Sequence, residues 1–206
     1  MSSSLPRLLV ITDRQATRGK PLVETVRAAL AGGARLVQLR EKDLDGGALF
    51  ALARSLTAEC RRVGARLLVN DRIDVAVAAG ADGVVLPADS FPTDAARRLL
   101  GPTKLVARST HCAAEVERAL HEGCDFVLFG PVYETPSKAA FGPPQGIDAL
   151  RAAARFAIPV YAVGGVTVEN AAEVLQAGAH GVAVIREAIA AEDPVAAVAR
   201  LLMACR

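Results

Sequence analysis

The sequence predicts one α/β domain over residues 1–206, a closed (β/α)8 TIM barrel. Short β-rich runs alternate with Ala-rich amphipathic stretches from one end of the chain to the other, which is typical of a parallel sheet with crossover helices. A degenerate repeat recurs four times, and no Pro/Ser-rich linker interrupts the chain. Eight βα units without a linker indicate a closed barrel. An open doubly wound sheet is the alternative, although no GxGxxG follows the first strand.

Eight short apolar runs are the predicted strands, and the segments between them carry apolar residues at helical spacing, as in Leu49, Leu52, Leu56 and Val63. Before four of the strands a Gly stands where a helix ends and the chain must turn through a positive φ. The predicted strands are Leu8–Thr12, Arg35–Leu39, Arg66–Val69, Gly83–Leu86, Lys104–Ala107, Asp125–Leu128, Pro159–Ala162 and Gly181–Ile185.

Composition excludes several classes of protein. Hydrophobic residues make up 52% of the chain and the net charge is only +2, so neither a disordered tail nor a protein that coats nucleic acid fits. The longest apolar stretches are far shorter than the ~20 residues of a membrane helix, and the first residues do not resemble an export signal. We therefore expect a cytoplasmic protein whose four cysteines are reduced and mostly buried.

Active sites of this fold lie at the carboxyl ends of the strands, where this sequence is unusually polar. Gln38 and Arg40 share one face of the second strand, and with Lys42 they offer an amide and two cations suited to phosphate oxygens. The alternative is that Arg40 pairs structurally with Asp71 or Glu41.

Asn70, Asp71 and Arg72 follow the third strand. A carboxylate beside a phosphate-binding set of cations is most simply a Mg²⁺ ligand, because Mg²⁺ is held by one or two carboxylates together with substrate phosphates and water. Asp71 could instead, or in addition, cap the helix that begins there.

A second set of anion-binding groups is predicted farther along the chain. The irregular stretch from Gly130 to Gly146 has the length of a functional lid and contains Thr135, Ser137 and Lys138. Gly164–Gly165 and the Ile185–Arg186 turn offer backbone N–H groups at predicted helix starts. Two anion sites on one rim suggest two phosphorylated groups.

His111 follows the fifth strand and is the only histidine predicted on this rim. It is the natural acid–base residue near neutral pH, although it could equally be fixed by hydrogen bonds that shape its loop. His121 and His180 are predicted at the other end of the barrel, in structural roles.

These motifs together resemble the thiamine phosphate synthase/TenI family, from about Leu8 to Leu202 and in family order. The residues that carry the resemblance are Ile11-Thr12-Asp13, Gln38-Leu39-Arg40-Glu41-Lys42, Asn70-Asp71-Arg72, Ser109-Thr110-His111, Gly130-Pro131-Val132-Tyr133 with Thr135 and Lys138, and Gly164-Gly165-Val166.

The synthase branch joins hydroxymethylpyrimidine diphosphate to a thiazole phosphate and releases diphosphate. By resemblance, Asp71 would bind Mg²⁺ and Ser109 would lie near the pyrimidine. The pyrimidine diphosphate would be held by Gln38, Arg40, Lys42, Asn70 and Lys138, with Arg72 as a further cation, and the thiazole phosphate by Thr135, Ser137, Gly165, Ile185 and Arg186.

Three positions depart from the synthase pattern. Ser90 stands where that branch has a second metal-binding Asp, and Asp89 lies one residue early, from where it could still reach the metal. Glu134 and Arg186 replace a usual Pro and Ser. Leu86-Pro87, Ser90-Phe91 and Glu134 resemble the TenI branch, thiazole tautomerases that need neither diphosphate nor metal.

Three functions follow from the resemblance. The first is a Mg²⁺-dependent synthase; the second is a tautomerase without a cofactor, in which His111 is the acid–base residue and Glu134 assists it; the third is a non-catalytic binder of thiamine ligands. An Asp89 that points away from Asp71 would favour the tautomerase. The expected partners are small phosphorylated pyrimidine and thiazole compounds, with no nucleic acid or membrane, and assembly into a homo-oligomer stays open.

Overall fold

The computed structural model describes residues 5–135 and 143–206, in which eight parallel strands close into one barrel. Each strand pairs with the next, and the last pairs with the first through Leu8 with Val182 and Val10 with Val184. The predicted TIM barrel is confirmed, and the open sheet is wrong. The strands are β1 (Leu8–Ile11), β2 (Leu36–Leu39), β3 (Arg66–Asn70), β4 (Gly83–Leu86), β5 (Leu105–Thr110), β6 (Phe126–Phe129), β7 (Val160–Val163) and β8 (Gly181–Val184).

Helices follow the strands and cover the outside of the barrel, and a short 3-10 helix, Arg14–Ala16, follows β1. Within residues 5–135 and 143–206 the α-helices are α1 (Leu22–Ala31), α2 (Gly46–Arg62), α3 (Ile73–Ala78), α4 (Thr93–Leu100), α5 (Ala113–His121), α6 (Gly146–Ala153), α7 (Ala171–Gln176), α8 (Arg186–Ile189) and α9 (Pro194–Ala204).

Two apolar layers hold the fold together. Inward-facing side chains fill the barrel, among them Leu36, Leu68, Phe126 and Tyr161, while a larger layer packs the outer faces of the strands against the helices. Alternation along a strand assigns each side chain to one layer. In β2 this places Leu36 inside and Leu39 outside, which leaves Gln38 on the inner face, as predicted.

Strand β5 is longer than predicted. It continues through Arg108, Ser109 and Thr110, which were expected to follow it. Ala107 belongs to the inner layer, so the next residue, Arg108, faces the helices, and it is only 7% exposed. Arg108 is therefore part of the packing between the barrel and the helices.

The amino end of the barrel is closed by the residues before β1. The Tyr161 hydroxyl donates to the Pro6 carbonyl, the His180 ring contacts the Leu5 carbonyl at 3.0 Å, and Arg7 donates to the His180 carbonyl at 3.2 Å. The structural role predicted for His180 is confirmed. His121 lies exposed in the last turn of α5.

Three of the four free cysteines, Cys60, Cys124 and Cys205, are buried as predicted, while Cys112 is exposed. In the described ranges no helix is both long and apolar enough to cross a membrane.

Candidate active site

A buried amide pair lies on the inner face of β2 and β3. Gln38 Nε2 donates to Asn70 Oδ1 at 3.1 Å, and the Gln38 side chain is 2% exposed. The carbonyl oxygen Oε1 of Gln38 is buried and has no hydrogen-bond partner among the described residues. Because an unpaired buried acceptor is costly, Gln38 suits a ligand that brings a donor to this point.

Asp71 follows β3 in an unusual backbone conformation, with φ = +63° in the left-handed region. Its N–H donates to the Val85 carbonyl at 3.0 Å, and its carboxylate accepts a hydrogen bond from the Ser90 hydroxyl. Helix α3 begins at Ile73, and its N-cap residue is Arg72, without a side-chain cap. The interpretation of Asp71 as a helix cap is therefore wrong, and its carboxylate faces the next strand's loop instead.

The cations predicted for phosphate binding differ in how they are paired. Arg72 forms an ion pair with Asp74 at 2.6 Å, whereas Arg40 and Lys42 form none with any described residue. The structural pairing considered for Arg40 is not observed.

Glu41, one of its two suggested partners, is used elsewhere. Its carboxylate accepts from the Thr12 hydroxyl at 2.6 Å and from the Arg14 N–H at 3.1 Å, and burial raises the pKa of this carboxyl. Arg40, half-buried, and Lys42, exposed, thus keep their charges available.

A polar cavity of about 250 Å³ lies over this end of β2 and β3. Its polar lining comes from Glu41, Lys42, Asn70, Asp71 and Arg72, with Pro87 from the loop after β4. The structure therefore brings an amide, two carboxylates and two cations from two consecutive loops around one space.

The two predicted metal-binding carboxylates, Asp71 and Asp89, differ in their surroundings. Ser90 contacts the Asp71 carboxylate, while Asp89 is exposed to solvent. No cluster of three or more metal-ligating side chains occurs in the parts of the chain that the structure describes. One carboxylate fits Mg²⁺ only if substrate phosphates and water complete the coordination, so the residues present are compatible with a metal that arrives with a diphosphate.

The opposite side of the rim is formed by loops after β6, β7 and β8. Gly165 has φ = +65°, and a Cβ there would lie 2.6 Å from the Glu134 carbonyl oxygen, so the two loops are in close contact. The expectation that Gly164–Gly165 starts a helix is wrong, because α7 begins only at Ala171. The expectation for Ile185–Arg186 is confirmed, since Ile185 is the N-cap residue of α8 and Arg186 its exposed first residue.

The segment after β6 carries the remaining predicted residues. Residues 130–135 and 143–145 contain no helix or strand, as expected for a loop. Glu134 is exposed and Thr135 half-buried. Ser137 and Lys138, predicted to bind phosphates, lie outside the described residues.

His111 is held in a defined orientation directly after β5. Its ring Nδ1 lies 2.6 Å from the Gly130 carbonyl, and its backbone N–H donates to the Glu115 carboxylate at 2.6 Å. A carbonyl only accepts, so Nδ1 carries the proton in this contact and the neutral ring keeps the Nε2 lone pair as a base. Both interpretations of His111 fit, since the bond that orients the ring also prepares it for proton transfer.

Ser109 lies on the inner face of β5, at a second cavity of about 180 Å³. That cavity is also lined by Ser90, Arg108 and Glu115. The loop that joins β4 to α4 therefore stands between two polar cavities.

Two features of the site were not foreseen. The Ser90 contact with Asp71 could not be predicted, because it depends on how two loops meet. The role of Arg108 had one signal in the sequence, the alternation that turns it away from the barrel interior next to Ala107.

Comparison with known proteins gives consistent matches over nearly the whole chain. A family model described as thiamine monophosphate synthase matches residues 8–188. A Geobacter sulfurreducens protein with the provisional name thiamine-phosphate synthase is 51% identical over 91% of this chain and 88% of its own. The thiamine-phosphate synthase of Roseiflexus castenholzii is 45% identical over 91% of this chain and 83% of its own. Thiamine phosphate pyrophosphorylase from Pyrococcus furiosus superposes with a TM-score of 0.87 at 35% identity and covers 97% of this chain and 95% of that structure.

Proposed function

The chain belongs to the thiamine monophosphate synthase family, and from this premise we propose that it is a transferase that couples hydroxymethylpyrimidine diphosphate to thiazole phosphate and releases diphosphate. The similarity to synthases at 45–51% identity supports this reaction over others of the same fold. The observation that carries it is the cavity over β2 and β3, where Lys42, which has no ion-pair partner among the described residues, lies with Arg72, Asn70 and Asp71.

This cavity, together with the neighbouring Arg40, suits a diphosphate better than a neutral ligand. Arg40 and Lys42 carry charges that no described acid neutralises, and cations hold phosphate oxygens through charge-assisted hydrogen bonds. Asn70 lines the same cavity, and its partner Gln38 has a buried carbonyl oxygen without a hydrogen-bond partner among the described residues. We assign the pyrimidine diphosphate to these residues and to Lys138. Arg72 joins them when it leaves its ion pair with Asp74.

Asp71 is the residue that would hold Mg²⁺, alone or with Asp89. When bound, Mg²⁺ supplies positive charge to the departing diphosphate, which lowers the barrier to its loss. Asp71 can contribute a free carboxylate oxygen, because the Ser90 hydroxyl occupies only Oδ1.

The residues around the cavity have a clear task in the reaction. The bond between the pyrimidine methylene carbon and the diphosphate oxygen breaks, the diphosphate leaves with the electron pair, and the thiazole nitrogen forms the new bond to the same carbon. Arg40 and Lys42 stabilise the charge that develops on the leaving group. Ser109 lies on the barrel interior where the pyrimidine ring would lie.

The thiazole phosphate is assigned to the other side of the rim. Gly165, Ile185 and Arg186 offer backbone N–H groups and one cation there, with hydroxyls from Thr135 and Ser137. A cytoplasmic location is part of the proposal, because both substrates are charged phosphates that do not cross a membrane unaided.

A specific observation favours a second candidate, a thiazole tautomerase. Ser90, at the position where the synthase pattern has its second carboxylate, contacts Asp71, and Asp89 is exposed. His111 meanwhile has the orientation that a proton-transfer residue needs, and Glu134 follows, in the same loop, the Gly130 whose carbonyl the His111 ring contacts. A binder without turnover would retain the anion sites alone.

The test is thiamine phosphate formation from the two substrates, with and without Mg²⁺, measured beside aromatisation of the non-aromatic thiazole carboxylate phosphate. Mg²⁺-dependent coupling that is lost in Asp71→Asn and retained in Arg97→Met is the expected result. Aromatisation alone, independent of metal and lost in His111→Ala, would replace the synthase by the tautomerase. Substrate binding without either reaction would leave only the binder.

A further inference from the structure

Arg108 is a buried cation that the proposed reaction does not use. Its guanidinium donates to the carbonyls of Pro87 and Ala88, each at 3.2 Å, and of Phe91 at 2.5 Å. These three acceptors belong to one short segment, residues 87–92, which joins β4 to α4 and which we name the β4–α4 loop. One side chain of β5 thus fixes the backbone of a neighbouring loop at three points.

Burial of the Arg108 guanidinium costs free energy, so stabilisation of the fold alone does not explain this contact. Arg108 is 7% exposed, its only ion pair among the described residues is a long one with Glu122 at 3.6 Å, and its Nε is buried without a partner among the described residues. A buried charge that is mostly satisfied by carbonyl dipoles stabilises a fold no better than a well-packed apolar side chain. A guanidinium has several donors, so unlike an apolar side chain it can fix the position of the β4–α4 loop.

The β4–α4 loop matters because it carries Ser90. The Ser90 hydroxyl donates to the Asp71 carboxylate, and the loop separates the two polar cavities, with Pro87 lining one and Ser90 the other. Phe91, next in the chain, is 57% exposed, so little apolar packing holds the end of the loop. Arg108 is the contact that keeps it in place.

We propose that Arg108 is a positioning residue, which holds the β4–α4 loop so that the Ser90 hydroxyl stays on the Asp71 carboxylate. In its catalytic consequence this inference rests on the proposed synthase function. In its structural part, the anchoring of the loop, it does not.

Arg97 provides a matched control. Its guanidinium also donates to backbone carbonyls, those of Lys104 and Gly123, and it forms an ion pair with Asp125 at 2.8 Å. These contacts lie beside the beginnings of β5 and β6, at the amino end of the barrel. Replacement of either arginine by Met removes a guanidinium, but the two guanidinium groups lie at opposite ends of the barrel.

The experiment compares Arg108→Met with Arg97→Met by hydrogen–deuterium exchange and by steady-state coupling kinetics. In Arg108→Met we expect faster exchange at residues 88–91 and a loss of about 10- to 100-fold in kcat/KM for the pyrimidine diphosphate, the range typical when a group that orients a ligand is removed. The KM for thiazole phosphate should stay within about twofold, because its site is on other loops. Arg97→Met should change neither the exchange of residues 88–91 nor these constants.

A double-mutant cycle shows whether Arg108 acts through Ser90. In a Ser90→Ala background, Arg108→Met should reduce kcat/KM by less than about twofold further, since residues in one pathway are not additive. An additive loss, or unchanged exchange of the loop in Arg108→Met, would overturn the proposal. If Arg108→Met does not fold, Arg108→Lys keeps the charge but reaches fewer carbonyls, and the same results are expected of it.

Failure of the proposed function gives a different pattern. A wild-type protein that forms no thiamine phosphate would refute the synthase, and the exchange comparison would still decide whether Arg108 anchors the loop.

Discussion

The two ends of the barrel use similar polar residues in opposite ways. At the amino end, the Asp125 carboxylate accepts from the Val106 N–H at 2.7 Å and pairs with Arg97 at 2.8 Å, and Asp82 accepts from the Leu67 N–H at 2.9 Å. At the carboxyl end, Arg40 has no described ion-pair partner, and Gln38 keeps an unpaired buried oxygen. The first arrangement satisfies each group within the fold, while the second leaves groups that a ligand can satisfy.

Stability and function therefore depend on opposite ends of the barrel. Satisfied groups at the amino end stabilise the barrel, so their loss should lower stability. Unsatisfied groups at the carboxyl end cost stability and bind ligands, so their loss should lower activity while the fold persists. Matched substitutions at the two ends test this contrast.

The largest effect is expected from Asp71→Asn. It should reduce Mg²⁺-dependent coupling by about 100-fold or more, because the carboxylate that neutralises the metal is lost from where charge develops. Asn tolerates the left-handed conformation that Asp71 adopts at φ = +63°, so the melting temperature should change little. Coupling assays and thermal melts of the same samples test this, and a collapse of stability would contradict the contrast.

Next in size is the same change at the other end, Asp125→Asn. The variant loses its ion pair with Arg97 and weakens the acceptor for the Val106 N–H, which should lower the free energy of unfolding by about 1–3 kcal/mol. The kinetic constants of the folded enzyme should match those of wild type. Urea denaturation measures the stability, and a tenfold fall in kcat with unchanged stability would reverse the assignment of the two ends.

A smaller effect is expected from Arg40→Gln. The KM for the pyrimidine diphosphate should rise at least about tenfold, since a hydrogen bond to a charged group contributes roughly 1.5–3 kcal/mol and about 1.4 kcal/mol is tenfold. Stability should be unchanged or slightly higher, because no described acid loses a partner. Isothermal titration with the diphosphate substrate gives the affinity directly, and unchanged binding would remove Arg40 from the substrate site.

The smallest effect concerns the two tyrosines, one near each end. The pKa of Tyr133 is raised to about 12, mainly by burial and secondly by its hydrogen bond to Glu173 at 2.7 Å. Burial also raises the pKa of Tyr161. For an acid whose pKa is raised by folding, the stability that it contributes is complete below pH 10 and is lost as the pH rises toward 12. Glu173→Gln should lower the pKa of Tyr133 alone. Absorbance titration of phenolate follows both tyrosines, and equal shifts in both would contradict local control.

The sequence predicted the fold because its signals are local and repeated. All eight strands lie where the apolar runs were identified, and differences at their ends are at most three residues, the largest at β5, which continues to Thr110. The Gly that ends a helix before a strand is also informative. Gly80, for example, follows α3 and has φ = +65°, the left-handed conformation that favours glycine.

The site was predicted less completely, because it depends on contacts between loops. Alternation along β2 correctly placed Gln38 inside the barrel. It could not reveal that the Asp71 carboxylate meets Ser90 or that Arg72 pairs with Asp74, since these bonds depend on side-chain rotamers and loop backbones. The helix start expected at Gly164–Gly165 failed for a similar reason, because the loop runs on for several residues before α7 begins.

Closure of the barrel has a consequence for the biosynthesis of the protein. The Leu5 carbonyl meets a residue 175 positions later, His180, and β1 forms its second edge only with β8. A ribosome adds ~5–20 residues per second, so the apolar β1 waits roughly ten seconds or more for this partner. During that interval the nascent chain exposes an unpaired strand edge. We expect chaperones that shield such edges to bind it until translation ends.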